Sequence, residues 1–190
     1  MYLLEEEARH VVKLLNEGKV ILYPTDTIWG IGCLITFPES IERIFEIKKR
    51  PRSKSMILLV DSIPMLKQYI KSIHPRVETL MGYHTRPLTV IYPQAKNLDP
   101  SIPAKDGSIA IRVCEDPFCK LLIAGVQMPL ISSSANLADQ APPSTFGEIS
   151  SEILSSVDYV VRFRQNDTTP REPSVIVKYE ADGELVYVRT

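Results

Sequence analysis

The sequence predicts an α/β (α+β) fold in which helices pack on the faces of a twisted, open, mixed sheet. Short apolar segments typical of buried strands alternate with segments of helical periodicity along the whole chain. The 190 residues, 44% of them hydrophobic, are enough to bury a substantial core. The chain has no internal repeat and no low-complexity segment, so we expect residues 1–190 to form a single domain.

The first third of the chain predicts two helices and two strands. Apolar residues recur at helical spacing between Glu5 and Asn16, and Gly18 follows at a capping position. A buried strand is stopped by Pro24, and a second amphipathic helix ends before Pro51. The predicted order is helix 5–16, strand 19–24, helix 40–50 and strand 55–60.

The remainder of the chain predicts further strands and helices, and then a final hairpin. Apolar strands are predicted at 87–92, 108–113, 128–133 and 158–163, with helices at about 62–71, 75–82, 117–124 and 145–154. Two apolar segments, 173–180 and 184–189, flank Asp182-Gly183, a strong signal for a hairpin turn. Polar connections remain at 93–107, 134–144 and 164–173, and long ordered loops of this kind often carry function.

The composition argues against several classes of protein. A formal net charge of -1 argues against a generally basic, nucleic-acid-binding chain. No run approaches the roughly 18 apolar residues that a membrane span needs, so we expect a cytoplasmic protein with no membrane partner. The cysteines and histidines show neither disulfide nor zinc-ligand spacing, which indicates a reducing compartment: Cys33, Cys114, Cys119, His10, His74 and His84.

Five cations crowd the end of the second predicted helix: Lys48, Lys49, Arg50, Arg52 and Lys54. Cations at a helix C-terminus interact favourably with the helix dipole, but each is worth only about 0.3–1 kcal/mol and the effect fades within a turn. Three interpretations stay open from the residues alone: a solvated helix end, a site for an anionic ligand, or a nucleic-acid contact.

Two further polar segments follow predicted strands. The first, "YPTDTIWGIG" at 23–32, fits an ordinary strand-to-helix connection with Thr25 as N-cap and Trp29 in the core, or a hydroxyl facing a ligand crevice at a strand end. The second, "ISSSAN" at 131–136, fits turn material or an anion-binding nest. Arg112, inside the apolar strand "SIAIRV", needs either a structural ion pair or a ligand carboxylate.

Taken together, six segments in this order resemble the YrdC-like family of threonylcarbamoyl-AMP synthases, including its YrdC/YciO branch, over residues ~10–190. They are "YPTDTIWGIG", "KKRPRSKSMILLV", "PLTVIYP", "SIAIRV", "PLISSSANLADQAPP" and "PSVIV". The resemblance implies a large positively charged cavity on one side of the sheet. It also implies a reaction in which L-threonine, bicarbonate and ATP give threonylcarbamoyl-AMP and pyrophosphate, for threonylcarbamoyladenosine modification of tRNA.

The resemblance also implies roles for particular residues. Lys48 and Arg50 are the implied catalytic residues, which act on the triphosphate while Mg²⁺ accompanies ATP without protein ligands. The implied ATP contacts are Arg50, Lys54, Ser108, Ser132, Ser134, Asn136 and Arg189, and the implied threonine contacts are Thr25, Arg112 and Ser174. The implied partners are a downstream threonylcarbamoyl transferase complex and tRNA or double-stranded RNA.

The sequence also departs from the family pattern. Arg86-Pro87-Leu88-Thr89 lacks the glycine of the family's P-G-P-x-T, Val175 replaces a threonine, and Leu59 stands where many relatives have a histidine. These changes resemble a paralogous branch, some of whose members have the cavity without clear synthase activity. The alternatives are therefore a non-catalytic paralogue that binds double-stranded RNA or tRNA, and a related adenylating enzyme that uses another amino acid.

Overall fold

A single nine-stranded sheet organises the molecule. The computed structural model describes residues 2–52, 56–180 and 183–190. The strands are β1 Ile21–Tyr23, β2 Gly30–Leu34, β3 Ile57–Val60, β4 Leu88–Tyr92, β5 Ile109–Val113, β6 Leu130–Ser134, β7 Tyr159–Val160, β8 Val175–Tyr179 and β9 Leu185–Arg189. Their order across the sheet is β7-β1-β2-β6-β3-β5-β4-β8-β9.

Six α-helices and one 3-10 helix connect these strands in the described ranges. The α-helices are α1 Tyr2–Asn16, α2 Pro38–Ile47, α3 Ile63–Tyr69, α4 Pro75–Tyr83, α5 Pro117–Val126 and α6 Ser151–Ser156. Helix α1 buries Ala8, Val11 and Leu15, and it lies close to α5, where a Cβ on Gly125 would meet Val12 at 2.6 Å. No helix in the described ranges is long and apolar enough to cross a membrane.

The sheet is mixed, as the sequence predicts. Strands β3 and β5, β4 and β8, and β1 and β7 pair in parallel, whereas the other neighbouring pairs are antiparallel. The predicted hairpin is confirmed as β8 and β9, although Asp182 lies outside the described residues. Side chains alternate between the two faces of each strand, so β3, β4 and β5 contribute residues to both faces.

Strand β2 is the element that the sequence pattern missed. The segment after Pro24 is a loop followed by a strand antiparallel to β1, so the interpretation of 23–32 as a strand-to-helix connection is wrong. The cause lies in the glycines, which have low strand propensity. A Cβ on Gly32 would lie 2.4 Å from the Ile131 carbonyl oxygen and 2.9 Å from the Tyr23 ring, so close packing requires glycine there.

The region 145–154 also differs from its prediction. The expected helix is divided into a 3-10 helix, Phe146–Glu148, and the short helix α6. Ser150 separates the two because its side-chain oxygen accepts a hydrogen bond from the Ile153 amide at 3.4 Å and caps α6. The predicted strand at 158–163 is reduced to the two residues of β7.

Candidate active site

A cavity of about 400 Å³ lies on one face of the sheet. Alternate residues of β5, Ala110 and Arg112, face it, as do Ser132 and Ser134 of β6, which pair with Gly32 and Gly30 of β2. The loop between β1 and β2 and the start of β8 complete its wall. The polar connection after β1 and the serines of β6 therefore meet in one place, although more than 100 residues separate them in the sequence.

Three arginines from separate parts of the chain line this cavity: Arg50, Arg112 and Arg189. No carboxylate is among the described residues that line it. Burial lowers the pKa of Arg50, and burial together with the charge of Arg112 lowers the pKa of Arg189. Like charges held at partial burial favour an anionic ligand, because such a ligand compensates both the desolvation and the mutual repulsion.

Arg112 forms a structural ion pair, one of the two roles that the sequence left open. Its Nη2 lies 3.1 Å from Asp26 Oδ1 and 3.4 Å from Thr25 Oγ1, and the side chains of Arg112 and Asp26 are only 6% and 12% exposed. Its buried Nε has no hydrogen-bond partner among the described residues. The ion pair with Asp26 therefore fixes the guanidinium, while one donor is left without a protein acceptor.

Thr25 belongs to a tightly bonded turn and does not cap a helix. Its Oγ1 donates to the Ile28 carbonyl oxygen at 2.8 Å, accepts from the Thr27 amide at 3.0 Å and lies 2.9 Å from Thr27 Oγ1. The interpretation as an N-cap is thus wrong, because the following residues lead into β2. Trp29, expected in the core, is buried there and also lines the cavity.

Lys48 lies beneath the cavity and is not part of its lining. Its side chain is almost fully buried, and Nζ donates to the carbonyl oxygens of Ser134 and Asn136. Its own carbonyl oxygen accepts from the Ala138 amide at 2.7 Å. Burial, and then the charge of Arg50, lowers the pKa of Lys48 to about 7. Lys48 thus holds the end of β6 in place, which differs from the direct contact with a triphosphate expected from the resemblance.

Lys49 and Arg52 form ion pairs at the protein surface. Lys49 pairs with Glu152 at 2.7 Å, and Arg52 pairs with Glu42 and lies over the Phe45 ring at 5.0 Å. All four of these charged side chains are substantially exposed, so the interpretation as a solvated helix end holds for Lys49 and Arg52. Lys54 lies outside the described residues.

Two predicted nucleotide contacts do not line the cavity. Ser108 is buried, and its amide donates to Asp106 Oδ1 at 3.0 Å. Asn136 Nδ2 donates at 2.8 Å to the carbonyl oxygens of both Leu137 and Gln140, which fixes the loop after β6. The structure thus brings together Thr25, Arg50, Arg112, Ser132, Ser134, Ser174 and Arg189 around the cavity, and Lys48, Ser108 and Asn136 are not among the residues that line it.

The hairpin at the C-terminus supplies Ser174 and Arg189. Arg189 Nε donates to the Ser174 carbonyl oxygen at 2.9 Å and Nη2 to Ser174 Oγ at 3.2 Å, and that hydroxyl lies 2.8 Å from Thr89 Oγ1. A β-bulge shifts the register of β9 so that Arg189 pairs with Ile176, which also lines the cavity. Regular pairing would place Arg189 opposite Val175, on the other face of the sheet.

A second cavity, of about 500 Å³, lies on the opposite face of β4 and β5, beneath α3 and α4. Its floor is apolar and includes Leu66, Val90 and Ile111, and four carboxylates line it: Asp26, Asp61, Glu78 and Glu115. None of the predicted site residues that the structure describes lines this cavity. Within the described ranges no group of three or more histidines, cysteines or carboxylates could hold a metal ion. The candidate active site is therefore the arginine-lined cavity.

Comparison with known proteins identifies a family. The model of the Sua5/yciO/yrdC family, described as telomere recombination, matches residues 13–190. A threonylcarbamoyl-AMP synthase of Vibrio campbellii is 34% identical over 170 residues, which cover 87% of this chain and 90% of the relative. One of Photobacterium profundum is 30% identical over 174 residues, which cover 88% and 94%.

Solved structures share the fold. E. coli YciO superposes with a TM-score of 0.85 at 23% identity, covering 97% of this chain and 89% of that one. P. abyssi Sua5 complexed with L-threonine superposes with a TM-score of 0.83 at 22% identity, covering 97% of this chain and 54% of that longer one. At such identities the likeness concerns the fold.

Proposed function

Because the chain belongs to the Sua5/yciO/yrdC family, we propose that it is a nucleotidyltransferase that makes threonylcarbamoyl-AMP and pyrophosphate from L-threonine, bicarbonate and ATP. Relatives with that name match nearly the whole length of the chain at 30–34% identity. The observation that carries the proposal is the cavity itself, where three arginines and several small hydroxyls converge and no described carboxylate intrudes. Residues 1–190 would act as one unit in this reaction.

The chemistry fits a site without a protein nucleophile. The threonine amine captures carbon dioxide, supplied by bicarbonate, as a carbamate. A carbamate oxygen then attacks the α-phosphorus of ATP, and the bond from that phosphorus to the bridging oxygen breaks as pyrophosphate leaves. Negative charge accumulates on the phosphate oxygens, so catalysis consists mainly of positioning and of electrostatic stabilisation by fixed cations and N–H donors.

The three arginines divide between the two substrates in this proposal. Arg50 and Arg189 bind the nucleotide phosphates, and Ser132 and Ser134 donate hydroxyls from the adjoining strand end. Lys48 holds that strand end through its carbonyl oxygens, so its part in catalysis is to position the serines. Lys54 belongs to the same triphosphate site by sequence. ATP would be used as its Mg²⁺ complex, in which the metal would neutralise part of the triphosphate charge.

The amino-acid subsite lies around Thr25, Arg112 and Ser174. The Nε of Arg112, which has no hydrogen-bond partner among the described residues, is a suitable donor for the substrate carboxylate. The hydroxyls of Thr25 and Ser174 are bonded within the protein, so these two residues shape the wall of the subsite. The P. abyssi Sua5 of the same fold is complexed with L-threonine, which supports threonine as the amino-acid substrate. The product would pass to a threonylcarbamoyl transferase complex that acts on tRNA in the cytoplasm.

Pyrophosphate release by the purified protein tests the proposal. ATP and Mg²⁺ are supplied throughout, and L-threonine and bicarbonate are each omitted in turn. Release that requires both substrates is the expected result, and serine in place of threonine tests the side-chain specificity. Release that depends on neither would contradict the synthase assignment, and binding of short double-stranded RNA at moderate salt would then favour the non-catalytic alternative.

A further inference from the structure

We infer that Arg164, at the start of the polar segment 164–173, is a positioning residue that fixes the amino-acid subsite from behind. The inference rests on the proposed function, because it concerns how Thr25 is presented to the amino-acid substrate. Arg164 does not line the arginine-lined cavity and acts only through the loop at residues 24–29.

The loop at 24–29 is a thin wall with two sides. On its inner side, Thr25, Thr27 and Trp29 line the arginine-lined cavity. On its outer side the same three residues, with Arg164 and Arg171, enclose a gap of only about 10 Å³. The segment 164–173 is therefore packed against the back of the wall. A displacement of that segment would be transmitted to the residues that face the substrate.

Arg164 makes the direct contact with this wall. Its Nη1 donates to the Thr25 carbonyl oxygen at 3.2 Å, and its Nη2 lies 2.5 Å from Asp116 Oδ2. The Arg164 side chain is 19% exposed and that of Asp116 is 3% exposed, so water screens the pair only weakly. The Phe163 ring also supports the guanidinium, at 4.7 Å. Arg164 thus has a single defined geometry.

Asp116 connects this contact to a rigid element. Its Oδ1 accepts hydrogen bonds from the amides of Phe118 at 2.9 Å and Cys119 at 3.1 Å, which caps α5. Cys119 Sγ lies 3.4 Å from the Pro24 carbonyl oxygen. Two successive carbonyl groups of the wall, those of Pro24 and Thr25, are therefore tied to the start of α5, one directly and one through Arg164.

The remainder of the segment holds Arg164 in place. Arg164 adopts a positive φ of 65°, which a non-glycine residue keeps only where its surroundings enforce it. Further along, the Arg171 amide donates to the Ser144 carbonyl oxygen at 3.1 Å, and Arg171 pairs with Asp167 at 3.1 Å. The chain then enters Pro173 and Ser174, which line the arginine-lined cavity. The segment is thus anchored at both ends.

The test compares the variants Arg164→Met and Arg164→Lys with a matched control, Arg162→Met, whose exposed side chain lies two residues away. We expect Arg164→Met to raise the KM for L-threonine about tenfold or more while changing the KM for ATP less than about threefold. Arg164→Lys keeps the charge beside Asp116 and should recover part of the loss. Arg162→Met should leave both KM values unchanged.

Amide hydrogen exchange of residues 25–29 in the ligand-free protein gives a readout independent of activity. Arg164→Met should accelerate this exchange, with the exchange of β3 and β6 unchanged. Unchanged exchange, or faster exchange with an unchanged KM for threonine, would overturn the inference. If the wild-type protein releases no pyrophosphate, the proposed function fails, and the role of Arg164 is then decided by the amide exchange of residues 25–29 alone.

Discussion

Replacing Lys48 by methionine should change the pH dependence of stability in a defined way. The folded protein holds the Lys48 pKa at about 7, whereas the ordinary value is 10.5. Between these values the unfolded chain binds more protons than the folded one, so the free energy of unfolding rises with pH. The cost of burying the charge is fully present below pH 7, and it disappears as the pH approaches 10.5.

The magnitude follows from the two pKa values and the two acceptors. Because of this difference in pKa, the free energy of unfolding of the wild-type protein rises by about 2 kcal/mol between pH 7 and pH 9. The neutral amine keeps two N–H donors, which match the carbonyl oxygens of Ser134 and Asn136. Methionine donates to neither, and a buried acceptor left unsatisfied costs about 1–3 kcal/mol. We therefore expect Lys48→Met to be less stable than wild type by about 2–3 kcal/mol at pH 9, and by much less at pH 7.

Urea unfolding at pH 7, 8 and 9 measures this difference. Lys49→Met is the matched control, because Lys49 is exposed and its pair with Glu152 is at the surface. The control should differ from wild type by less than about 1 kcal/mol at every pH. The reasoning would be refuted if the difference in the free energy of unfolding between wild type and Lys48→Met stayed constant or became smaller as the pH rises.

Other predictions follow from the cavity and from close packing. Arg50→Ala should raise the KM for ATP about tenfold or more in the pyrophosphate assay with little change in the unfolding midpoint, and an unchanged KM would remove Arg50 from the nucleotide site. Arg189→Met should also raise the KM for ATP about tenfold or more, with little change in the unfolding midpoint. Deletion of Val188 removes the bulge and places the arginine opposite Ile176 by regular pairing, so it should still face the cavity and the KM for ATP should change less than about threefold. Gly32→Ala should cost about 3 kcal/mol or more in urea unfolding, because its Cβ would lie 2.4 Å from a backbone oxygen. Gly82→Ala, helical and with nothing within 4 Å of its Cβ, should gain up to about 1 kcal/mol, and a loss would contradict the packing described.

Most of the fold was predictable because apolar periodicity reports burial directly. Helices α1 and α5 and strands β3 to β6 carry strong patterns and lie where the sequence places them. Strand β2 was missed because its packing depends on the absence of side chains at Gly30 and Gly32, which appear in the sequence as weak strand formers.

The candidate site was predictable in its residue types and less so in its geometry. The crowding of cations indicated that Arg50 could bind an anionic ligand. The position of Arg112 within an apolar strand indicated that it needs a partner of opposite charge, and Asp26 is that partner. The sequence could not separate Arg50, which lines the cavity, from Lys48, which lies beneath it, because that depends on how the end of α2 meets β6. It also gave no signal for the contact of Arg164 with Thr25, since 139 residues separate them.

Strand β5 lies between the two cavities, which differ in the charge of the side chains that line them. Its even-numbered residues, Ala110 and Arg112, border the arginine-lined cavity, while Ile111 and Val113 border the second cavity, which has an apolar floor and four carboxylates in its lining. Inserting a single residue between Ala110 and Arg112 would turn the side chains on one side of the insertion to the opposite face, which would take the Arg112 guanidinium away from Arg50 and Arg189 and place an apolar side chain between them. The length of the central strands is therefore as strictly constrained as the chemistry of the side chains they carry.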